Sequence, residues 1–366
     1  MARSRKPDRK LRTGFTTGAC ATAAAAAAYQ ALLTGSFPDP VTISLPKGEA
    51  AAFPLAEHEL TDGVARAAVI KDAGDDPDVT HGALIRATLR RLPAGAGVVF
   101  RAGEGIGTVT LPGLPLAVGE PAINPVPRRM MQAAIIGLAE AHGASPDAEI
   151  TISVPNGERL AARTMNGRLG IKGGLSILGT TGIVIPYSCS AWVHSIESGI
   201  DVARALGLAH VAGATGRTSE AAVKAHHGLA DNALIDMGDF VGAMLKYLRR
   251  HPVPRVTIAG GPAKLAKLAV GHLDLHSKRS RADAGFLAVL ARDAGLDDAA
   301  VRRIADASSV AQALLAAGDA SDRLADTIAE KAREVAAGVL QPSKAPIALD
   351  VLVFDREGRL IGRAGP

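Results

Sequence analysis

An acidic segment in the first quarter of the chain carries the residues best suited to exchange protons. Residues 72–82 read DAGDDPDVTHG and place four carboxylates and the imidazole of His81 between two apolar stretches. Carboxylates this close repel one another, so the fold must surround them with cations, hydrogen-bond donors or water. We interpret the segment as a loop that binds polar groups and supplies an acid or base. A solvated turn of ordinary loop residues is an alternative, and a metal site is a third, although the spacing is not that of a calcium loop.

Two adjacent arginines follow a proline-rich helix start. The run NPVPRR at 124–129 predicts that Arg128 and Arg129 lie in the first turn of a helix that continues over 130–141. The helix dipole favours anions in that turn, so two guanidinium groups there indicate an anionic ligand that offsets their charge. Guanidinium groups bind carboxylates through two parallel hydrogen bonds. A pair of surface arginines without a ligand accounts for the same residues equally well.

Two glycine-containing turns could bring the backbone close to a ligand. The first consists of Thr180, Thr181 and Gly182 and follows a predicted apolar strand. The second is Gly260-Gly261, between a predicted strand and a helix start, which is where α/β sheets bind ligands. Tight turns between domains would use the same residue types, so neither turn alone identifies a site.

The histidine spacing does not predict a metal site. His272 and His276 have the i, i+4 spacing of a helical pair, but the residues between them do not resemble a metal-binding helix, and we predict no protein-bound metal. The residues that follow, Lys278 and Arg279, instead predict a basic edge for an anionic substrate. The sequence also lacks the motifs of covalent acyl transfer and of phosphoryl transfer.

Length and composition exclude several classes of protein. At 366 residues the chain is long enough for two domains, and 48% hydrophobic with 21% charged residues is ordinary for a globular protein. With 3% aromatic residues it has few rings on which bases could stack, which argues against nucleic-acid binding. No run is long and apolar enough to cross a bilayer, and two cysteines fit a reducing cytoplasm. Six basic residues within 1–12 predict a flexible arm and leave the remaining chain close to neutral.

Hydrophobic patterns predict the elements that must position these residues. A threonine cap and the alanine run after it predict a helix that ends near Gly35. Alternating apolar residues at 41–45 predict a strand that enters a hairpin. Residues 151–158 repeat six of the eight letters of 42–49, which suggests a second hairpin in the same sheet, with coincidence as an even alternative.

The pattern of the chain changes after Pro186. Before it, short apolar runs divided by Gly and Pro predict an α+β domain with a mixed sheet over 13–185. After it, helices alternate with short apolar runs, which predicts a Rossmann-like α/β domain with a C-terminal hairpin over 186–366. The predicted fold class is therefore α/β with two domains. The predicted helices of the second domain are 191–206, 219–226, 240–250, 263–270 and 285–293.

Five segments, in order along most of the chain, form a recognisable set. They are TGFTTG at 13–18, the acidic run at 72–82, GEPAINPVPR at 119–128, the run at 168–182 and MGDFVG at 237–242. Together they resemble the CbiD family of cobalamin biosynthesis, the cobalt-precorrin-5B C-1 methyltransferases. The resemblance implies a methyltransferase that moves a methyl group from S-adenosylmethionine to C-1 of cobalt-containing or metal-free precorrin-5B, giving the corresponding precorrin-6A.

The resemblance also implies roles for the candidate residues. Basic side chains would balance the acetate and propionate groups of the acceptor. They are Arg128, Arg129, Lys172, Lys278 and Arg279. A carboxylate or imidazole of the acidic run would steer proton loss from the macrocycle. The candidates are Asp72, Asp75, Asp78 and His81. The methyl donor would bind at one of the two glycine-containing turns, either Thr180-Thr181-Gly182 or Gly260-Gly261.

Two other functions are weighed against this one. A tetrapyrrole carrier or pathway scaffold would need the basic residues but no donor pocket. An RNA-associated protein would use the basic arm, and the low aromatic content argues against it. The expected partners are an anionic tetrapyrrole and other enzymes of the same pathway, not nucleic acid or a membrane, and the oligomeric state stays open.

Overall fold

The computed structural model describes residues 11–276 and 283–365, which form two units. The first unit ends at Ser188 and the second begins at Cys189. Most of the predicted arm, and the candidate residues Lys278 and Arg279, lie outside the described residues. Among the helices that are described, none is both long and apolar enough to cross a membrane.

A mixed sheet forms the centre of the N-terminal unit, as the sequence predicts. The elements of this unit are β1 (Gly14–Phe15), α1 (Thr17–Thr34), β2 (Val41–Ser44), β3 (Ala50–Phe53), β4 (Glu57–Thr61), β5 (Val64–Ile70), β6 (Leu84–Arg91), β7 (Val98–Ala102), β8 (Thr108–Val109), α2 (Pro125–Ala141), β9 (Ala148–Ser153), α3 (Gly157–Ala161), β10 (Ile171–Lys172) and β11 (Ile183–Val184). Five strands pair in the order β4-β5-β6-β9-β7. All pairs are antiparallel except β7 with β9, which are parallel.

Helix α1 is the buried helix of this unit. The Thr16 hydroxyl accepts the N–H of Ala19 at 3.2 Å and caps the helix, and Gly35 ends it in the left-handed conformation. The six consecutive alanines at 23–28 are all buried. Because a methyl group is the largest side chain over this stretch, α1 can pack closely against β5, β6 and α2.

Of the two hairpins predicted for the N-terminal unit, only the one that begins with the strand at 41–45 is present. Strands β2 and β3 pair antiparallel, with Val41 opposite Phe53. The prediction of a second hairpin at 151–158 is wrong, because β9 lies between β6 and β7 and both of its edges are already paired. The chain after β9 therefore turns away, and Asn156, in the left-handed conformation, leads into α3.

The C-terminal unit consists of a sheet with helices on both faces. Its elements are α4 (Ser190–Ala205), β12 (His210–Ala214), α5 (Arg217–His227), β13 (Leu234–Asp236), α6 (Val241–Arg250), β14 (Arg255–Gly260), α7 (Pro262–Ala269), α8 (Ala284–Asp293), α9 (Asp298–Ala305), α10 (Val310–Ala317), α11 (Ser321–Leu340), β15 (Ala348–Phe354) and β16 (Leu360–Ala364). The strand order is β13-β12-β14-β15-β16. The first four strands are parallel, and β16 completes the predicted C-terminal hairpin as an antiparallel edge.

The two faces of this sheet bury separate clusters. Val256 and Ile258 of β14 belong to the larger cluster, together with Leu265 of α7. Ala259 of the same strand belongs to the smaller cluster, together with Val223 of α5. Helices α5 and α7 follow the neighbouring strands β12 and β14, so the chain leaves these two strands toward opposite faces of the sheet.

Candidate functional site

Arg12 holds the first part of the acidic loop, which we define as residues 72–82. Its guanidinium pairs with both carboxylate oxygens of Asp72, with Nη2 3.0 Å from Oδ1. Its backbone N–H donates to Asp75 Oδ2 at 2.8 Å. Hydrogen bonds from Arg12 and from the Gly74 N–H lower the pKa of Asp72 to about 2. Asp72 is therefore ionised at neutral pH, and the last residue of the predicted arm is anchored.

Lys71 holds the second part of the loop. Its side chain is only 1% exposed, and its Nζ lies 2.7 Å from Asp78 Oδ2. The other oxygen of Asp78 accepts the N–H and the hydroxyl of Thr80 at 2.7 and 2.6 Å. Burial acts to raise the pKa of Asp78, but Lys71 and Thr80 outweigh it and the pKa is lowered. Asp78 therefore compensates a buried ammonium group, which is a structural role.

His81 is the member of the loop best suited to exchange a proton with a ligand. Its Nδ1 accepts the N–H of Ala73 at 3.1 Å and lies 3.8 Å from Asp72 Oδ1. Because Nδ1 is an acceptor, the neutral ring carries its proton on Nε2. The side chain is 53% exposed, so part of the ring is open to a ligand.

Residues 14–18 connect the acidic loop with the turn at Gly182. The N–H of Phe15 donates to the carbonyl of Asp72 at 2.7 Å, and the N–H of Thr16 donates to the carbonyl of Gly182 at 2.9 Å. Gly14 lies directly against the loop, where a Cβ would be 2.1 Å from a backbone carbon. The structure therefore brings two of the predicted segments together at the start of α1.

The glycines of the turn at 179–182 are explained by packing. A Cβ at Gly182 would lie 2.7 Å from the Leu45 side chain, and one at Gly179 would lie 2.3 Å from Thr16 Oγ1. The Thr181 hydroxyl bonds to the backbone of the same turn, and Thr180 is exposed. Close contact with Leu45 and with the N-cap residue of α1 is thus sufficient reason for these two glycines.

Arg128 and Arg129 lie at an open cavity of about 650 Å³ in the N-terminal unit, which we call the arginine cavity. This volume is usual for a small-molecule site. Its lining comes from β7, including Arg101, from the segment before α2, including Glu120, and from the first two turns of α2. Three arginines against one glutamate give the lining an excess of positive charge, which suits an anionic ligand.

The two adjacent arginines have different surroundings. Arg128 forms an ion pair with Glu120 at 2.9 Å and donates to the carbonyls of Ile123 and Pro121 at 2.8 and 3.0 Å. Arg129 is exposed and forms no ion pair or side-chain hydrogen bond with any described residue. Arg128 therefore shapes the cavity wall, while Arg129 is available to a ligand.

Lys172 lies apart from the arginine cavity. It is an exposed residue of β10, opposite Thr108 of β8, and is not part of the cavity lining. The structure therefore does not bring this predicted substrate residue to the two arginines.

Gly260-Gly261 lies at the carboxyl ends of the parallel strands in the C-terminal unit. Strand β14 ends at Gly260, and Gly261 is the N-cap of α7. The neighbouring strand β12 leads to Gly216, the N-cap of α5. Because α5 and α7 lead to opposite faces, the general rule for such sheets predicts a crevice between the two turns. A Cβ would meet nothing within 4 Å at Gly216 and only the Phe354 carbonyl, at 3.9 Å, at Gly261.

Trp192 and Asp239 lie at the same edge of the sheet. The Trp192 indole donates from Nε1 to the carbonyl of Asp236, the last residue of β13, at 2.8 Å, and the side chain is 43% exposed. Gly238 lies beneath the ring, where a Cβ would be 3.1 Å from it. Asp239 is buried and forms an ion pair with Lys264 of α7. The edge thus presents an exposed aromatic ring beside two helix N-termini.

Several residues at the acidic loop, the arginine cavity and the edge of the C-terminal sheet were not identified from the sequence. Arg12 belonged to the predicted arm, and the sequence carries no signal for its pairing with Asp72. Arg101 is an ordinary strand residue whose position depends on the pairing of β7 with β9. Trp192 could have been found, because it is the single tryptophan of the chain and begins a predicted helix.

Comparison with known proteins agrees with the motifs. The CbiD family model matches residues 4–186, and the model of the CbiD C-terminal domain matches residues 274–365. A relative from Paramagnetospirillum magneticum is 62% identical over 98% of this chain and 99% of its own length. One from Agrobacterium fabrum is 60% identical over 96% of this chain and 93% of its own length. Both bear the name cobalt-precorrin-5B C(1)-methyltransferase.

A solved structure matches as well. The crystal structure of the cobalamin biosynthesis protein CbiD from Archaeoglobus fulgidus is 30% identical, with a TM-score of 0.40, over 70% of this chain and 78% of that one. The family models and the near full-length relatives together settle the membership: this chain belongs to the CbiD family.

Proposed function

We propose that this chain transfers the methyl group of S-adenosylmethionine to C-1 of cobalt-precorrin-5B. The observation that carries the proposal is the high identity, over nearly the whole chain, with relatives named for this reaction. The chemistry is a displacement in which the macrocycle carbon forms a bond to the methyl group while the methyl–sulfur bond breaks. Such a reaction needs no covalent enzyme intermediate, and alignment of the two reactants supplies most of the acceleration.

The arginine cavity is the candidate site for the acceptor. A precorrin carries many acetate and propionate groups, which suit the excess of positive charge in the cavity lining. Arg129 is the residue we assign to direct carboxylate binding, because its guanidinium is not engaged by the described residues. Lys172, Lys278 and Arg279 remain candidates for contacts with carboxylates elsewhere on the macrocycle.

The crevice at Gly216, Gly260 and Gly261 is the candidate site for the methyl donor. The strand order of this sheet, numbered within the unit, is 2-1-3-4-5, a doubly wound order that supports the Rossmann-like assignment. In such sheets a ligand binds where neighbouring strands lead to opposite faces, which here is between β12 and β14. Trp192 would offer a surface on which the adenine ring stacks. The turn at 180–182 is the weaker candidate, because packing against Leu45 already explains Gly182, whereas Gly216 and Gly261 have open space where a Cβ would be.

His81 is the candidate proton acceptor for any proton that the macrocycle loses. Asp72 and Asp78 are held by cations and have lowered pKa values, which makes both weak bases. The Asp75 carboxylate accepts the backbone N–H of Arg12. The His81 side chain is 53% exposed and is held through Nδ1 only, so Nε2 is open to a ligand.

A reconstituted assay tests the proposed function. The purified chain is incubated with S-adenosylmethionine and either cobalt-precorrin-5B or metal-free precorrin-5B, and the products are analysed by mass spectrometry and NMR. We expect one added methyl group at C-1 and an equal amount of S-adenosylhomocysteine. Methylation of only one acceptor would identify the form used. Tight binding of the acceptor with no methylation and no donor binding would favour the carrier function instead.

A further inference from the structure

A second polar cluster lies at the amino end of the C-terminal sheet, away from the crevice. His210 begins β12 and Arg255 begins β14, and the two residues are paired in register. His227 is the last residue of α5. Asp350 of β15 lies opposite Thr257 of β14. The proposed methyl transfer uses none of these residues.

Two imidazoles and a carboxylate converge in this cluster. One ligand atom from each of His210, His227 and Asp350 lies within 4.8 Å of the other two. The Thr257 hydroxyl lies between them, 2.8 Å from His210 Nε2 and 3.4 Å from His227 Nε2. The same hydroxyl donates to Asp350 Oδ2 at 3.2 Å. Three groups that can bind a metal are therefore directed at one small volume.

The cluster is largely shielded from solvent. Asp350 is 5% exposed and both histidines are partly buried. Arg255 donates from Nε to Asp350 Oδ2 at 2.8 Å and so fixes the orientation of the carboxylate.

We propose that His210, His227 and Asp350 form a binding site for one zinc ion. Two imidazoles with one carboxylate are a set that zinc and similar transition metals accept, whereas magnesium and calcium prefer oxygen ligands. The Thr257 hydroxyl gives its one proton to Asp350, so the two Nε2 atoms donate N–H to its oxygen. To bind the ion, each ring would carry its proton on Nδ1 instead and turn the Nε2 lone pair to the metal. The ion would link the end of α5 to β12 and β15, and so stabilise the unit at the edge opposite the crevice.

The proposal differs from the absence of metal expected from sequence. That expectation rested on His272 and His276, which are close in sequence. The ligands proposed here come from two strands and a helix that are far apart along the chain. The parallel pairing of β12, β14 and β15, together with the packing of α5 on these strands, brings them together.

The test measures zinc on the full chain without an affinity tag. The protein is stripped with a chelator, dialysed against zinc and then buffer, and the metal is measured by elemental analysis and by calorimetric titration. We expect about one zinc per wild-type chain. His210→Ala and His227→Ala should each weaken binding by at least about tenfold. His142→Ala, which removes an exposed imidazole of the N-terminal unit, is the control and should bind as the wild type does.

Two further measurements separate the site from a simple hydrogen-bond network. Cobalt(II) should give visible absorption bands in the wild type and in His142→Ala but not in the two ligand variants. Zinc at about a hundred times its dissociation constant should raise the unfolding midpoint of the wild type by about 5 °C. Circular dichroism of the metal-free variants shows that they are folded. No zinc on the wild type, wild-type zinc in either ligand variant, or loss of zinc in His142→Ala would overturn the proposal.

Discussion

The Arg12 guanidinium and the Asp72 carboxylate form a two-point ion pair that fastens the chain before β1 to the acidic loop. Two residues later, Gly14 lies against the backbone of that loop with no room for a Cβ. Residues 12–16, which precede α1, are thus part of the candidate site. The pair also changes the chemistry of Asp72, because a carboxylate held by a cation is a weaker base.

The first prediction concerns acid stability. Asp72 has an ordinary pKa near 3.8 when unfolded and about 2 when folded, so its contribution to folding is present above pH 4 and is lost as the pH falls toward 2. Arg12→Gln removes the main cause of this shift. The urea midpoint of Arg12→Gln should therefore fall less between about pH 5 and about pH 2.5 than that of the wild type.

The matched control for this prediction is Arg66→Gln, which breaks the exposed ion pair of Arg66 with Glu59. Its urea midpoint should change with pH as the wild-type midpoint does. Equal acid sensitivity of wild type and Arg12→Gln would mean that the ion pair has no effect on the titration of Asp72 in solution.

The second prediction separates His81 from Asp78. His81→Ala should lower kcat by about a hundredfold with an unchanged unfolding midpoint, because it removes a proton acceptor from an exposed position. Asp78→Ala should instead lower the unfolding free energy by about 3 kcal/mol, since Lys71 stays buried without its partner. Steady-state assays and urea unfolding measure the two effects. His142→Ala, an exposed histidine after α2, is the control, and turnover of His81→Ala at the wild-type rate would remove His81 from the mechanism.

The third prediction separates the two adjacent arginines. Arg129→Ala should weaken binding of the precorrin by about tenfold and leave stability and donor binding unchanged, because it removes one carboxylate contact. Arg128→Ala should cost about 2 kcal/mol of unfolding free energy, because Glu120 and two carbonyls lose their donor. Titrations with each substrate, together with urea unfolding, test this division. Equal loss of acceptor and donor affinity in Arg129→Ala would contradict it.

The fourth prediction uses the single tryptophan as a probe of the donor site. Trp192 fluorescence should change when S-adenosylmethionine binds, because the exposed indole lies at the end of β13, at the sheet edge where we propose that the donor binds. Trp192→Leu should weaken donor binding by about tenfold, and Trp192→Phe, which keeps an aromatic surface, by less. Equilibrium dialysis with labelled donor gives both affinities. Saturation of the donor site with no change in fluorescence would place the donor elsewhere.

Local signals explain why much of the fold could be predicted. Helix α1 has a threonine cap and a glycine end, and α6, predicted at 240–250, is observed at Val241–Arg250. Capping and hydrophobic periodicity are properties of neighbouring residues, so they are visible in sequence. The hairpin predicted at 151–158 failed because the similarity to 42–49 says nothing about which strands pair with β9.

The site was predicted less completely, because the roles of its residues depend on distant partners. Arg128 and Arg129 are adjacent in sequence, yet only Arg128 meets Glu120. Asp78 and His81 lie in one short loop, but Lys71 engages only the first of them. Residue type and spacing located the candidate segments. Only the folded chain shows which residues of these segments are held by other residues and which are open to a ligand.

The alanine run of α1 has a consequence for how this chain can change. The methyl groups at 23–28 are all buried, so a bulkier residue would force α1 away from β5 and β6 and displace Thr16 from the turn that precedes β11. Glycine, the one smaller residue, would lose buried contact and would also cost about 1 kcal/mol in helix propensity. The middle of this helix therefore admits no change of side-chain size without loss of stability, and a shift of the helix there would reach Thr16 at its N-terminus.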